Sequence, residues 1–195
     1  MFIDPDIPYA EIIKTTMEMI FTDQAETLTE MKIDRILDDS TNKRTIIETA
    51  NELNRDFKTY YSIFYIKIEN LSELRKNILI SNIKKINYVE AYRYKKGIIV
   101  IVNYDKLQTV EKVLSQVLAV FEKFRDCYSI GISDIFDKAE DFSSGIKQSL
   151  LANEISYIIN NNIVYYKDIS LYRILYPLRD SNELKNFYDE IITPL

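Results

Sequence analysis

The sequence predicts an α+β fold in which an antiparallel sheet carries helices on one face and is flanked by N- and C-terminal helices. Short runs of aromatic and β-branched residues indicate strands, and longer segments with apolar residues every three or four positions indicate helices. These segments follow one another as strand, helix, strand, strand, helix, strand, with one more helix and strand at the end. That order is typical of a split βαβ sheet.

The first part of the chain, residues 1–41, is predicted to form one or two connecting helices. From Pro8 to about Asp39 apolar residues recur on one helical face, and Thr22-Asp23 could divide the run into two. A long helix with such a narrow stripe packs either against a second copy of the chain or onto its own domain. The candidate dimer contact consists of Ile13, Met17, Ile20, Leu28 and Met31.

Residues 42–169 form the predicted central α/β domain. Thr41 or Asn42 is expected to cap its first helix, whose buried stripe is Ile46, Ile47, Ala50 and Leu53. Strands are predicted over Tyr60–Ile68, Ile86–Tyr94, Ile98–Tyr104, Tyr128–Ile132 and Ile163–Tyr166. Helices are predicted over Asn70–Ser81, Asp105–Arg125 and Ala139–Ile159, the last starting near Ser143-Ser144-Gly145.

Two glycines have predicted roles in this domain. Lys95-Lys96-Gly97 joins two strands as a tight hairpin, in which Gly97 is expected to supply a positive φ. Gly131, in the fourth strand, is expected to let a neighbouring element pack closely. Residues 170–195 are predicted to be helices, over Leu171–Leu178 and Ser181–Leu195, and their abrupt end suggests one module of a longer protein.

Composition excludes several classes of chemistry. The 195 residues carry a net charge of −5 and are 47% apolar and 28% charged, as expected of a soluble globular protein without a basic nucleic-acid surface. The chain has no histidine, one cysteine (Cys127) and three dispersed glycines, which excludes imidazole catalysis, thiolate metal clusters and glycine-rich phosphate loops. No apolar run reaches the roughly 20 residues of a membrane span, so a cytoplasmic location is expected.

The order of elements resembles ferredoxin-like folds and, with its extra C-terminal segment, nucleotide cyclase domains of the GGDEF type. That resemblance implies two metal-binding acids at the end of the first strand and a Gly-Gly-Asp-Glu-Phe turn between the middle strands. Here Lys67 stands at the first acidic position, only Glu69 remains nearby, and the turn is Arg93-Tyr94-Lys95-Lys96-Gly97. We therefore expect no enzymatic activity, no catalytic residue, no metal and no cofactor.

The chain more closely resembles the degenerate GGDEF-like central domain of bacterial transcriptional regulators of the PucR/CdaR type. The matching segments are Glu30–Asp38, Asn51–Asp56, Ser129–Ser133, Ile146–Glu154, Val164–Ile169 and Leu171–Leu178. The resemblance implies a cytoplasmic, homodimeric signalling module that relays an effector's signal to a helix-turn-helix domain absent from this chain. DNA would be contacted only through that domain, in functions such as purine catabolism or sugar diacid utilisation.

A second hypothesis is a cyclase-like domain that retains a cleft for a nucleotide or cyclic dinucleotide. Its candidate vestigial site comprises Lys67, Glu69, Arg93, Tyr94, Lys95, Lys96 and Gly97. Glu69 would then hold a metal together with Asp105 or Asp134. The simpler interpretation is that the two turn lysines are solvated and that Lys67 and Glu69 follow strand alternation. The fifteen tyrosines could likewise stack on bases, although the acidic net charge favours packing in and beside the sheet.

Overall fold

The fold is organised around a five-stranded sheet, described by a computed structural model. The model covers the backbone of residues 9–54, 59–69, 71–105, 109–121, 128–176, 178–179, 181–182, 186 and 189–190. In this part of the chain the helices are α1 (Tyr9–Leu37), α2 (Lys43–Leu53), α3 (Glu73–Ile83), α4 (Thr109–Phe121), α5 (Phe142–Ile159) and α6 (Tyr172–Leu175). The strands are β1 (Tyr60–Ile68), β2 (Val89–Tyr94), β3 (Gly97–Tyr104), β4 (Tyr128–Ile132) and β5 (Ile163–Tyr165).

The strands lie in the order β2-β3-β1-β4-β5. All neighbours are antiparallel except β4 and β5, which are parallel. The α+β class and the split βαβ arrangement are therefore confirmed, and the predicted bounds of β1 and β4 are correct to the residue. The second strand was predicted to start at Ile86 but starts at Val89, because Tyr88 has a φ of 66° that an extended strand does not allow.

Helices cover both faces of the sheet, so the prediction of helices on one face is wrong. One core contains Phe64, Ile66 and Val100 beneath α3 and α4. The other contains Ile63 and Ile101 beneath α1, α2 and α5. The physical reason is visible in β3, whose sequence GIIVIVNY lacks apolar–polar alternation and is buried at every position. A strand buried on both faces has such a continuous apolar run.

The N-terminal segment is a single helix, which Thr22-Asp23 does not interrupt. Its C-terminal half lies on the sheet through the buried residues Ile33 and Ile36. The predicted cap of α2 is confirmed, since the Asn42 side chain accepts a hydrogen bond from the Thr45 amide at 2.9 Å. Ile47 was predicted to be buried but is exposed, because it lies on the outer side of α2.

Several predicted bounds lie partly outside the described residues. The helix predicted over Asp105–Arg125 is described as α4, and Cys127 falls outside the described residues. The helix predicted over Leu171–Leu178 is described as the shorter α6, whereas most of Ser181–Leu195 falls outside. The division of the chain at residues 41 and 169 stays a prediction.

The hairpin between β2 and β3 differs from its prediction in one respect. Lys95 has the positive φ, at 50°, whereas Gly97 does not. Gly97 is instead required for space, because a Cβ there would lie 2.7 Å from the ring of Tyr65. The prediction for Gly131 is confirmed, since a Cβ at this position would lie 2.1 Å from the carbonyl oxygen of Ser149 in α5.

Candidate functional site

The end of β1 and the β2–β3 hairpin lie side by side. Lys67 pairs with Gly97 in the antiparallel ladder, so the turn formed by Lys95 and Lys96 lies next to the Lys67 side chain. The Nζ of Lys67 lies 4.5 Å from the centre of the Tyr157 ring in α5, which is a cation–π distance. Strand pairing thus brings three lysines to the edge of one depression between the sheet and α5.

This depression, which we call the lysine cavity, has a volume of about 820 Å³. Lys67, Lys95 and Lys96 are its basic residues, and its other walls are Tyr65, Leu150, Asn153, Glu154, Tyr157, Ile158 and Tyr176. The surface is mainly aromatic and aliphatic, with one carboxylate among the residues that line it. Such a cavity suits a ligand that combines an apolar body with negative charge.

Tyr65 forms the part of the cavity closest to the sheet. It is a buried residue whose ring lies over Gly97, and Gly131 faces it on the other neighbouring strand. Burial, with the negative charges of Glu154 and Glu30 and the nearby Tyr157 hydroxyl, raises the pKa of Tyr65 to about 12. Tyr65 is therefore a neutral wall of the cavity at physiological pH.

Of the seven residues predicted for the vestigial site, four come together at the lysine cavity (Lys67, Lys95, Lys96 and Gly97), and three do not line it. Glu69 lines a separate cavity of about 140 Å³ beside Tyr128 and Ser129. Tyr94 is buried under α1 and does not line the lysine cavity, although the Nζ of Lys95 lies 5.0 Å from the centre of its ring. Arg93 lies between α1 and α3, at the edge of the sheet.

Neither proposed metal partner of Glu69 lies near it. Asp105 follows Tyr104, which pairs with Tyr60 at the opposite end of β1. At about 3.3 Å per residue, Asp105 is about 30 Å from Glu69. Asp134 follows β4 beyond Ile132, and the β1–β4 register places it about 20 Å from Glu69 by the same measure. The suggested carboxylate pair is therefore wrong, and no group of three or more potential ligands holds a metal site among the described residues.

The hairpin is bonded to α1 by three acidic residues, which we call the acidic ladder: Glu26, Glu30 and Asp34. Arg93 pairs with Glu26 at 3.0 Å, and the Tyr94 hydroxyl donates to Asp34 at 2.7 Å. The amide of Lys95 donates to Glu30 at 2.9 Å. Residues spaced by four lie on one face of a helix, so three consecutive hairpin residues each contact one turn of α1.

Sequence reasoning missed the acidic ladder. A signal for it existed, because carboxylates recur at intervals of four on α1 and the hairpin is basic. Arg93 is held a second time by α3, where its guanidinium donates to the side chain of Asn77 at 2.6 Å. The ion pair between Arg93 and Glu26 is shielded from solvent, since the two side chains are only 18% and 23% exposed.

The predicted dimer stripe lies on the outer side of α1. Ile13, Met17, Leu28 and Met31 are all exposed, and the side chain of Ile20 falls outside the described residues. With 3.6 residues per turn, the buried residues Ile33 and Ile36 lie about 160° and about 140° from Met31 around the helix. The helix therefore packs on the sheet with one face and presents a second apolar face to solvent.

Comparison with known proteins gives similarities of backbone arrangement. No protein-family model matches the chain, and no curated protein matches it. Among solved structures, it is similar to a regulator of polyketide synthase expression from Bifidobacterium adolescentis, at 12% identity and a TM-score of 0.48. That match covers 68% of this chain and 54% of the other, so the chain spans about half the length of that protein.

Two further structures are similar to this chain at low sequence identity. The diguanylate cyclase SiaD of Pseudomonas aeruginosa, solved with its activator SiaC, has 15% identity and a TM-score of 0.47 over 80% of this chain and 70% of that one. The S helix-GGDEF-EAL portion of Vibrio cholerae LapD, solved with c-di-GMP, has 12% identity and a TM-score of 0.44 over 77% and 42%. Within the described part of this chain, no helix is both long and apolar enough to span a membrane.

Proposed function

We propose that this chain is a non-catalytic regulatory and dimerisation module of a cytoplasmic bacterial transcriptional regulator of the PucR/CdaR type. In this proposal α1 pairs with α1 of a second copy and transmits a signal to a helix-turn-helix domain outside this chain. DNA is contacted by that domain alone. The observation that carries the proposal is the position of α1, which holds the hairpin with one face and exposes an apolar stripe on another.

The two faces of α1 connect dimerisation to the hairpin. Leu28 and Met31 face outwards and are 58% and 62% exposed. Glu26, Glu30 and Asp34, on the same two turns, bind the hairpin. A rotation of α1 imposed by its partner helix would move these carboxylates relative to the hairpin, because a helix turns as a rigid element. This is the physical basis for a relay between the dimer contact and the sheet.

The lysine cavity is basic, and we infer from this that the chain has no cyclase activity. Cyclase-type chemistry needs carboxylates that hold divalent metal beside phosphates. By the resemblance of the sequence to cyclase domains, Lys67 and the turn lysines Lys95 and Lys96 take the places of those acids, whereas Glu69 lines a different cavity. This arrangement supports a metal-dependent nucleotide site less well than a regulatory module. Incubation with GTP and Mg²⁺ or Mn²⁺ should release no pyrophosphate.

Sedimentation velocity tests the dimer contact. The wild-type chain should sediment as a dimer at micromolar concentration, and the double variant Leu28→Glu/Met31→Glu as a monomer, because four carboxylates would face one another across the contact. The control is Leu74→Glu, an exposed leucine on α3, which should leave the dimer intact. The proposal is wrong if the wild-type chain is monomeric at high micromolar concentration, or if the double variant remains a dimer.

A further inference from the structure

The lysine cavity divides into a basic rim and an apolar wall. Lys67, Lys95 and Lys96 stand on the side of the hairpin, and none of them forms an ion pair with a described carboxylate. The opposite wall, from α5, contributes Leu150 and the half-exposed Ile158. An apolar wall that remains in contact with water beside concentrated positive charge favours a ligand with both properties.

Tyr157 is held in place as the floor between these two sides. Its hydroxyl accepts a hydrogen bond from Ser129 at 3.2 Å, and Lys67 lies over its ring. Tyr157 is nevertheless 49% exposed, and it is one of the residues that line the cavity. A fixed, open aromatic surface can stack on a planar ligand without first paying the entropy of ordering a mobile side chain.

Asn153, which lines the cavity beside Glu154, has no free amide hydrogen with which to bind a base. The Asn153 amide already donates to the Ser129 hydroxyl at 2.9 Å and to the Tyr65 carbonyl at 3.4 Å. Its hydrogens are therefore used inside the protein. Lysines, in contrast, act as point charges that place few geometric demands on an anion.

We propose that the lysine cavity binds an aromatic carboxylate without a metal ion. The ring of the ligand lies against Tyr157, Leu150 and Ile158, and its carboxylate lies among Lys67, Lys95 and Lys96. Binding does not depend on the proposed dimer. Its regulatory consequence does rest on the proposed function, because the amide of Lys95 is bonded to Glu30 of α1. A ligand carboxylate that binds the Lys95 side chain contacts the same hairpin turn whose backbone amide is bonded to α1.

Titration of the full chain with 2-naphthoate, followed by heteronuclear NMR, tests the site. The amides of the hairpin turn and of the Tyr157 region should shift and saturate with a dissociation constant on the order of 1 mM or tighter, given the size of the ligand. The neutral 2-naphthamide, which has the same ring, should bind at least about fivefold more weakly. Removing Mg²⁺ with a chelator should change nothing.

Charge-removing variants complete the test. Lys67→Met should weaken 2-naphthoate by about fivefold, and Lys95→Met/Lys96→Met by a similar factor, because exposed ion pairs are individually modest. Lys112→Met, an exposed lysine of α4 on the opposite face of the sheet, is the matched control and should bind as the wild type does. The inference is overturned if naphthamide binds as well as naphthoate, if the cavity variants bind normally, or if only GTP with Mg²⁺ shifts these amides. Sedimentation of the same samples reports the dimer separately, so failure of one proposal does not imply failure of the other.

Discussion

The hydroxyl of Tyr94 donates a hydrogen bond to the carboxylate of Asp34 at 2.7 Å, and this contact joins the hairpin of the sheet to α1. Tyr94 is buried beneath the helix. Its neighbours in sequence, Arg93 and Lys95, bind the other two carboxylates of the acidic ladder, those of Glu26 and Glu30. Because the same hairpin carries the turn lysines, the cavity and the outer stripe of α1 are connected through a few short contacts. The proposed relay would run through these contacts.

Tyr94→Phe should lower the free energy of unfolding by about 1–2 kcal/mol, since it removes a hydrogen bond to a charged acceptor. It should also speed hydrogen exchange at the Lys95 amide, because α1 loses one of its attachments to the hairpin. Tyr60→Phe, which removes a hydroxyl from a half-buried tyrosine of β1, is the control and should change stability little. Equal losses of unfolding free energy in the two variants would show that the hydrogen bond to Asp34 does not stabilise the fold.

Gly131→Ala and Gly145→Ala form a second matched pair, measured by urea unfolding. At Gly131 the new methyl group would meet the backbone of α5 at 2.1 Å, so the sheet and helix must separate at a cost of about 2 kcal/mol or more. At Gly145 the nearest atoms are Cδ1 of Ile63 and Cε2 of the Phe136 ring, both at 3.1 Å, and alanine is also the better helix former. We expect a change within about 1 kcal/mol there. Similar losses at both positions would contradict the close approach of α5 to β4.

Sequence patterns predicted the strands well where the pattern was local. The aromatic and β-branched run Tyr60–Ile68 and the short run Tyr128–Ile132 were assigned with correct bounds. The presence of helices on both faces of the sheet was missed. The signal for it was the sequence of β3, which lacks the apolar–polar alternation of a strand that is buried on one face only. The positive φ of Lys95 was also missed, since glycine is the residue expected there and Gly97 serves instead to admit the Tyr65 ring.

The part of the candidate site that was predicted correctly is the part that depends on strand pairing alone. Lys67 and the turn lysines come together because β1 and β3 pair along their full length. Glu69, Arg93 and Tyr94 do not line the cavity, and their positions depend on where each strand ends and on where α1 packs. The acidic ladder joins residues that are 60 or more positions apart, for example Glu30 and Lys95. Periodicity within a single segment carries no information on such a contact.

The buried tyrosines predict loss of stability at high pH. Burial raises the pKa of Tyr61, Tyr94 and Tyr104 above the ordinary 10.0, with Asp34 adding to the effect at Tyr94. The folded state therefore keeps these protons after the unfolded state has lost them. Their contribution to stability is complete below pH 10 and declines as the pH rises above it. Absorbance at 295 nm should show these tyrosines ionising only together with the loss of circular dichroism, unlike the same titration in denaturant. Smooth ionisation of every tyrosine in the folded protein would contradict this.

The side chains of Asn54, at the end of α2, and Asn103, in β3, are expected to be strongly coupled in their contributions to stability. Each is only 1% exposed, and their side-chain amides exchange two hydrogen bonds, with Asn54 donating to Asn103 at 2.8 Å. Asn54→Leu or Asn103→Leu alone leaves the remaining amide buried without this partner, so each should cost about 2 kcal/mol in the free energy of unfolding. The double variant replaces both polar groups with apolar ones and should cost clearly less than the sum. A double-mutant cycle by urea unfolding measures this coupling, and additive losses would show that the two amides do not depend on each other.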